Sequence, residues 1–456
     1  MNKIFPISLQ TNFKSKKWTM KKSAKITNQS IESAGLPKDP KHVIAEYIWN
    51  GFDAKATEID LFIDSNELGY INRISINDNG EGINLDTLSY SFGNFLDSIK
   101  KNGLKRSSYT RGKKGKGRFS FSLFAARASW DTTFKKGENL KTYRIQIDRE
   151  SKEQYDISES RLSERKNTGT QVSLEGVFGL NAIFFESDEF TNFLAQEFGW
   201  FLYLNKVLNY SIRINGKQLT YDHLIQETDR LSWTTYAPDG NSSYNFTINY
   251  IRWNQQIGDR YYYYFLNSEK KEIAKVLSSF NNNAINFHHS VYIDSSFFDH
   301  FEQEDIAVST DDNLFSGKTK QVVYRNLIAE LRDFLDRKQK KYVLEHAVAV
   351  KLVNLEKKGL LPVYTQSEKD EKRKRILLAL IQEIYIVDPR IFFGIKTDLI
   401  QTYLGFIDLL LQSEKSKDIL PIIEQALPLT DKEKNRIKQV LALASNDENP
   451  ISDEEK

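Results

Sequence analysis

At 456 residues the chain is too long for one ordinary core, and a division into about three domains is expected. Its 40% apolar residues suffice to fill such cores, and its lack of cysteine excludes disulfide staples, cysteine nucleophiles and thiolate metal sites, in keeping with a reducing compartment. A net charge of only +3 excludes the global basicity of many nucleic-acid binders.

The opening MNKIFPISLQ has no cleavable signal pattern, and no apolar run approaches the ~18 residues that would span a bilayer, so the expectation is a cytoplasmic protein without a membrane partner. Lys3 to Trp18 mixes apolar and basic residues and reads as a strand or strap, and Ser30 to Ala34 as a short segment before Pro37. Pro40 closes this irregular piece, and a helix follows over His42 to Thr57, HVIAEYIWNGFDAKAT. On that helix Glu46, Asn50 and Asp53 fall within about 60° of one another, while Ile44, Ile48 and Phe52 gather opposite. Read alone, this is a solvated face. Read functionally, a carboxylate and an amide one turn apart can hold a metal ion and a water together, as phosphate hydrolysis requires.

Glu58 to Asp64 and Ile71 to Asp78 alternate as strands about a turn at Asn66 to Gly69. Ile74, Ile76 and Asp78 share the second strand's inner face, so Asp78 becomes an inward carboxylate in need of a donor; its plainer reading is a turn former ahead of Asn79-Gly80. Asn79-Gly80-Glu81-Gly82-Ile83 follows, with glycines that permit positive φ and close approach to the backbone. From Lys100 to Arg118 nine basic residues stand with no acidic one between them, and Gly112, Gly115 and Gly117 lead into an apolar run, Phe119 to Ala126, expected to be a helix. A glycine-rich loop opening a helix offers N–H groups to an anion, phosphate above all. Three readings of the run stay open: a phosphate-contacting lid, a nucleic-acid surface, or a solvated loop.

Strands are expected at Trp130 to Phe134 and Leu140 to Ile147 about Lys136-Gly137, and from Thr168-Gly169-Thr170 through Leu174. Beyond Leu180 come a helix (Phe190 to Leu204), a strand to Ile214, an Asn215-Gly216 hairpin turn, and aromatic strands at Tyr244 to Trp253 and Tyr261 to Leu266. The tyrosines from Tyr261 onward read as packing, and His288-His289 lack partners at metal-ligand spacing. Val322 to Leu355 is helical, three or four helices lie between Lys369 and Leu443 with boundaries marked by Pro362, Pro389, Pro421 and Pro428, Lys369 to Arg375 reads as an exposed helix face, and Asp447 to Lys456 as a solvated acidic tail.

The order Glu46-x-x-x-Asn50 with Asp53-Ala54, Asp78-x-Gly80-x-Gly82, the Gly112 to Gly117 loop and Gly169-Thr170 resembles the four motifs of the GHKL, or Bergerat-fold, ATPase superfamily. That superfamily includes gyrase B subunits, MutL proteins, Microrchidia ATPases, heat-shock chaperones and sensor histidine kinases. Ala45 to Ile63 is most similar to the MutL and Microrchidia pattern. The resemblance is close over roughly the first 180 residues and loose over the next 140. It implies an α+β chain: a Bergerat-type two-layer α/β sandwich over 1–180, an α+β transducer-like domain over 181–322, and a helical C-terminal region over 323–456.

By the same resemblance the cofactors are ATP and Mg²⁺. Glu46 is the general base for the attacking water, Asn50 the Mg²⁺ ligand, and Asp78 the acceptor for the adenine amino group, assisted by Thr170 through a shared water. Gly82 lets the base lie against the backbone, Gly115 and Gly117 belong to the lid over the terminal phosphate, and Asp53, Gly80 and Gly112 complete the nucleotide-binding set. The lid's lysines and its Arg118-Phe119 pair match no single branch. Phe315-Ser316-Gly317-Lys318-Thr319-Lys320 is similar to the transducer loop of gyrase-like relatives, making Lys320, with Lys318 as alternate, the lysine for the terminal phosphate.

The function implied is an ATP-hydrolysing switch or clamp that dimerises on ATP through its N-terminal segment. It would act on DNA through residues 100–118 or on a partner effector through the C-terminal helices, in DNA repair or antiphage defence. The alternatives are a nucleotide-sensing module with little turnover and a kinase of the sensor type; Glu46 in the base position and the lack of a preceding phosphoacceptor-histidine helix weigh against the kinase.

Overall fold

The computed structural model describes residues 39–88, 117–238, 240, 242–280, 285–299 and 318–445. The N-terminal strap, most of the basic run with Gly112 and Gly115, the segment before Lys318 and the acidic tail lie outside them. The chain divides into two compact units, one holding described residues 39–88, 117–187 and 211–218, the other 188–210 and 219–445.

In the first unit helix α1 (Pro40–Asp53) starts where Asp39 caps it, accepting from Lys41 N, with Pro40 fixing φ at the first helical position. Val43, Ile44, Ala45, Ile48 and Phe52 are buried, whereas Glu46 and Asp53 are half-buried and Asn50 is exposed. The polar stripe is therefore real, and the apolar side is wider than three residues. Strands β1 (Glu58–Ser65) and β2 (Ile71–Asp78) pair antiparallel with Ile59 opposite Asp78, about a turn in which the Asn66 side chain accepts from Leu68 N and Tyr70 N.

The sheet is completed by β3 (Ala125–Lys136), β4 (Asn139–Asp148), β5 (Asp156–Ile157), β6 (Arg161–Leu162), β7 (Gly169–Val177), β8 (Ser211–Ile214) and β9 (Lys217–Gln218). Its nine strands run in the order β5-β4-β3-β7-β2-β1-β8-β9, with β6 also on β4; β1 and β8 are parallel and all other pairs antiparallel. One face is apolar, with Ile59, Leu61, Ile74, Ile76, Leu174, Trp130 and Ile145 buried beneath α1. The other carries cross-strand ion pairs, Arg213 with Asp60, Arg144 with Asp131 and Arg127 with Asp148. Apolar on one side and charged on the other, the sheet forms a two-layer α/β sandwich. The expected helix over Phe119 to Ala126 is instead a 3-10 turn, Gly117–Leu123, running into β3. Pairing with β7 begins at Ala125, and the buried Phe119, Phe121 and Phe124 take the intervening residues inward, which leaves no length for a helix.

In the second unit, beyond the short α2 (Ala182–Glu186) of the first, lie α3 (Asp188–Leu204) and a sheet of β10 (Ile225–Tyr236), β11 (Ser243–Trp253), β12 (Tyr262–Leu266), β13 (Glu272–Leu277) and β14 (His289–Asp294), ordered β10-β11-β14-β12-β13. Neighbouring β14 residues face opposite layers. Tyr292 stacks on Trp200 of α3 at 4.9 Å, while Val291 joins the core formed with α4 (Lys318–Tyr342), where Tyr250 meets Phe334. His288 and His289 belong to this packing: Tyr261 Oη lies 2.8 Å from His288 Nδ1, and His289, fully buried with its pKa pushed down to about 4 by desolvation, bonds Ser278 and the Phe287 carbonyl.

After a π turn (Val343–Ala347), α5 (Val348–Lys357), α6 (Glu368–Val387), α7 (Thr397–Leu411), α8 (Ile419–Ala426) and α9 (Asp431–Ser445) bury a second apolar cluster around Leu377, Leu380, Leu404 and Ile437. Pro421 sits inside the first turn of α8, where its missing N–H costs nothing. Lys369 to Arg375 is only partly the exposed face expected: Arg373 reaches inward to grip Asp408, 2% exposed, through both carboxylate oxygens. No described helix is long and apolar enough to cross a membrane.

Candidate functional site

Asp78 ends β2 between β1 and β7, paired with Ile59 on one side and Thr170 on the other. Its Oδ1 accepts from Gly80 N at 2.9 Å and Thr170 N at 3.3 Å, and neither bond uses Oδ2. Burial pushes the carboxyl above the usual carboxylate range, and the two N–H donors pull it back. The donor that parity demanded is thus supplied by the backbone of two neighbouring elements.

The Thr170 hydroxyl stands 3.0 Å from that of Thr132 on β3, and Thr132 Oγ1 accepts from Ile83 N at 2.8 Å. This chain of bonds holds the Gly80 to Ile83 loop against the sheet. Gly82 has φ +74°, and a Cβ there would lie 2.1 Å from the Thr133 carbonyl oxygen; at Gly80 a Cβ would come within 2.6 Å of Ala54 O. Both positions need glycine, the first for conformation and contact, the second for contact. Asn79, which sequence reasoning passed over, pins the start of β1: its Oδ1 accepts from Thr57 N and Glu58 N.

Gly51 was also missed. A Cβ there would lie 2.4 Å from Ile59 Cδ1 and 3.1 Å from Asp78 Cβ, so α1 rests directly on the strands that carry Asp78. The signal was a glycine inside a strongly periodic helix, which favours close backbone approach enough to offset its propensity cost of about 1 kcal/mol.

Along α1 the half-buried Glu46 accepts from Ser120 Oγ at 3.2 Å, and the next residue, Tyr47, donates its hydroxyl to the Arg118 carbonyl at 3.3 Å. Asn50 and Asp53 continue the stripe one and two turns on. Gly117 opens the 3-10 turn that carries Ser120. Glu46, Asn50, Asp53, Asp78, Gly80, Gly82, Gly117 and Thr170 all belong to the first unit, whereas Lys320 is half-buried in the first turn of α4 in the second. The first unit therefore offers a half-buried acceptor with an oxygen that neither backbone bond uses, a loop cleared of side chains, and a helix face of oxygen donors. That is a chemistry suited to an amino-bearing base and to phosphates with a hard cation.

Residues 38–173 match the family model described as histidine kinase-, DNA gyrase B- and HSP90-like ATPase, a span from the start of α1 into β7. No curated protein matches the chain. Among solved structures, similarity is found to the Aquifex aeolicus MutL ATPase domain complexed with ADP, at 13% identity and a TM-score of 0.32, over 57% of this chain and 92% of that one. The N-terminal domain of a DNA repair protein matches at 14% identity and a TM-score of 0.36, over 68% and 98%. The ATPase region of Saccharomyces cerevisiae topoisomerase II matches at 11% and 0.33, over 56% and 73%. The family match spans all the first-unit residues gathered around Asp78 and Glu46, and residues 38–173 carry a domain of the GHKL ATPase type.

Proposed function

We propose that the first unit binds ATP with Mg²⁺ and hydrolyses it, and that the chain works as an ATP-driven conformational switch. The observation that carries this is the Asp78 carboxylate, held through Oδ1 by two backbone N–H groups beside a loop that Gly80 and Gly82 keep clear. An acceptor so fixed, with Oδ2 left for a ligand, suits the exocyclic amino group of adenine, and the Thr170 and Thr132 hydroxyls can order a water beside it.

Glu46, one wall away on α1, takes the proton of the attacking water, the role its carboxylate and its anchored position support. Asn50 supplies one oxygen donor for Mg²⁺, which takes few protein ligands and shares the phosphates; when bound, the ion neutralises charge on the phosphates. Among the described residues no cluster of His, Asp or Glu forms a separate metal cage. Asp53 extends the polar wall, and Gly117, with Gly112 and Gly115 beyond the described residues, belongs to the phosphate-facing loop of this reading. Lys320 is carried as the terminal-phosphate lysine on resemblance alone.

The switch reading adds ATP-dependent pairing of two copies, with a client reached through the basic 100–118 run or the C-terminal helices. Duplex DNA binding that weakens with salt and is lost when Lys113, Lys114 and Lys116 are neutralised supports the nucleic-acid version; unaltered binding removes it. Hydrolysis itself is tested by Glu46→Ala, which spares ATP binding and abolishes turnover.

A further inference from the structure

Glutamate ends in a soft torsion: the rotation of the carboxylate about its last bond is broad and roughly two-fold. Helix α1 therefore fixes where Glu46 begins, and something else must fix how its oxygens are turned. One donor to that carboxylate is Ser120, whose Oγ lies 3.2 Å from Glu46 Oε2. Ser120 is 0% exposed and stands between Phe119 and Phe121, both buried, in a turn closed by Ser122 Oγ donating to the Phe119 carbonyl and Phe124 N to the Phe121 carbonyl. The same turn is tied to α1 a second time, by the Tyr47 hydroxyl on the Arg118 carbonyl. A donor locked by packing and by two neighbouring bonds can hold a carboxylate in one orientation; a mobile surface serine could not.

We propose that Ser120 is a positioning residue for ATP hydrolysis: its hydroxyl turns the Glu46 carboxylate toward the attacking water. The proposal rests on the reading of Glu46 as the base. A hydrogen bond to the charged form also favours that form, so loss of the Ser120 bond should raise the Glu46 titration. The competing reading is that a buried hydroxyl has merely found a partner. The two differ in what Ser120→Ala moves, because a purely structural bond affects melting and leaves the orientation of the base without consequence.

The experiment uses the full chain with Ser120→Ala, Ser120→Cys, which keeps the volume with a weaker donor, and Ser120→Thr, which keeps the hydroxyl. Turnover, binding of a non-hydrolysable ATP analogue and the ¹³C titration of the Glu46 carboxyl, assigned through Glu46→Gln, are measured together. The expected result is a fall in kcat of about ten-fold or more for Ser120→Ala and Ser120→Cys. Analogue affinity stays within about two-fold, the Glu46 titration moves upward, and Ser120→Thr returns most of the rate. If Glu46→Ala abolishes turnover while Ser120→Ala and Ser120→Cys turn over at the parent rate with an unmoved titration, the positioning role falls and the base stands. If Glu46→Ala turns over like the parent, the base assignment falls. The titration reads the Ser120 bond in either case, and an unmoved Glu46 carboxyl in every variant overturns the proposal even where the parent shows no turnover.

Discussion

Replacing the Asp78 carboxylate by the isosteric amide, Asp78→Asn, changes one oxygen and one charge and leaves the rest of the site in place. The amide oxygen can still accept from Gly80 N and Thr170 N, the two bonds Oδ1 makes now, so the loop and the β2/β7 pairing keep their anchor. What changes is Oδ2. On the proposed contact, the acceptor offered to the ligand becomes an NH₂ donor, which would meet the adenine amino group donor to donor. A hydrogen bond to a charged group contributes about 1.5–3 kcal/mol, so ATP affinity should fall by roughly 10- to 150-fold. Folding should not suffer, because burial already raises the pKa of this carboxyl and the substitution removes a buried charge. Calorimetric titration with a non-hydrolysable analogue measures the first effect and thermal unfolding the second. Unchanged affinity in a variant that melts like the parent would refute the adenine contact.

Three further outcomes follow from the same geometry. The raised pKa of Asp78 means that the folded protein binds this proton more tightly than the unfolded chain, so its contribution to stability is present below the ordinary carboxylate value and is lost as pH rises through the folded value. On the proposed adenine contact nucleotide takes the ionised form, and calorimetry in buffers of different ionisation heat should show affinity falling and proton release on binding as pH drops into that window. Gly82→Ala places a side chain at φ +74° with its Cβ 2.1 Å from the Thr133 carbonyl oxygen, and should cost about 2–4 kcal/mol, some 5–15 °C in the melting of the first unit, read by calorimetry. Arg373→Met leaves Asp408, 2% exposed, without its guanidinium and should destabilise the C-terminal helices by about 3–5 kcal/mol in denaturant unfolding, with ATP affinity unchanged.

The parts of the site that could be read in the sequence are those written in local periodicity. The Glu46 stripe showed because Ile44, Ile48 and Phe52 repeat at helical spacing, and Asp78 showed because strand parity put it on the same side as Ile74 and Ile76. What escaped depends on contacts between distant segments. Ser120 meets Glu46 across 74 residues, and Thr132 meets Thr170 across 38, with no spacing rule to announce either. The 3-10 turn at Gly117–Leu123 was mistaken for a helix because an apolar run carries no period of its own, and strand pairing from Ala125 decided the matter. In the second unit β10 went unread because it is an edge strand paired only with β11, and its polar, exposed alternate residues lack the apolar signal of β11 and β12. Lys369 to Arg375 looked solvated because a charged run says nothing of a buried partner such as Asp408, which lies 35 residues beyond Arg373.

Steady-state release of phosphate from ATP and Mg²⁺, measured for the parent and for Glu46→Ala alongside analogue binding, decides whether this domain hydrolyses ATP with Glu46 as the base. Turnover is expected in the parent, with its loss in Glu46→Ala by about two orders of magnitude or more and equal nucleotide affinity in both. Phosphate release from Glu46→Ala at the parent rate would refute that assignment.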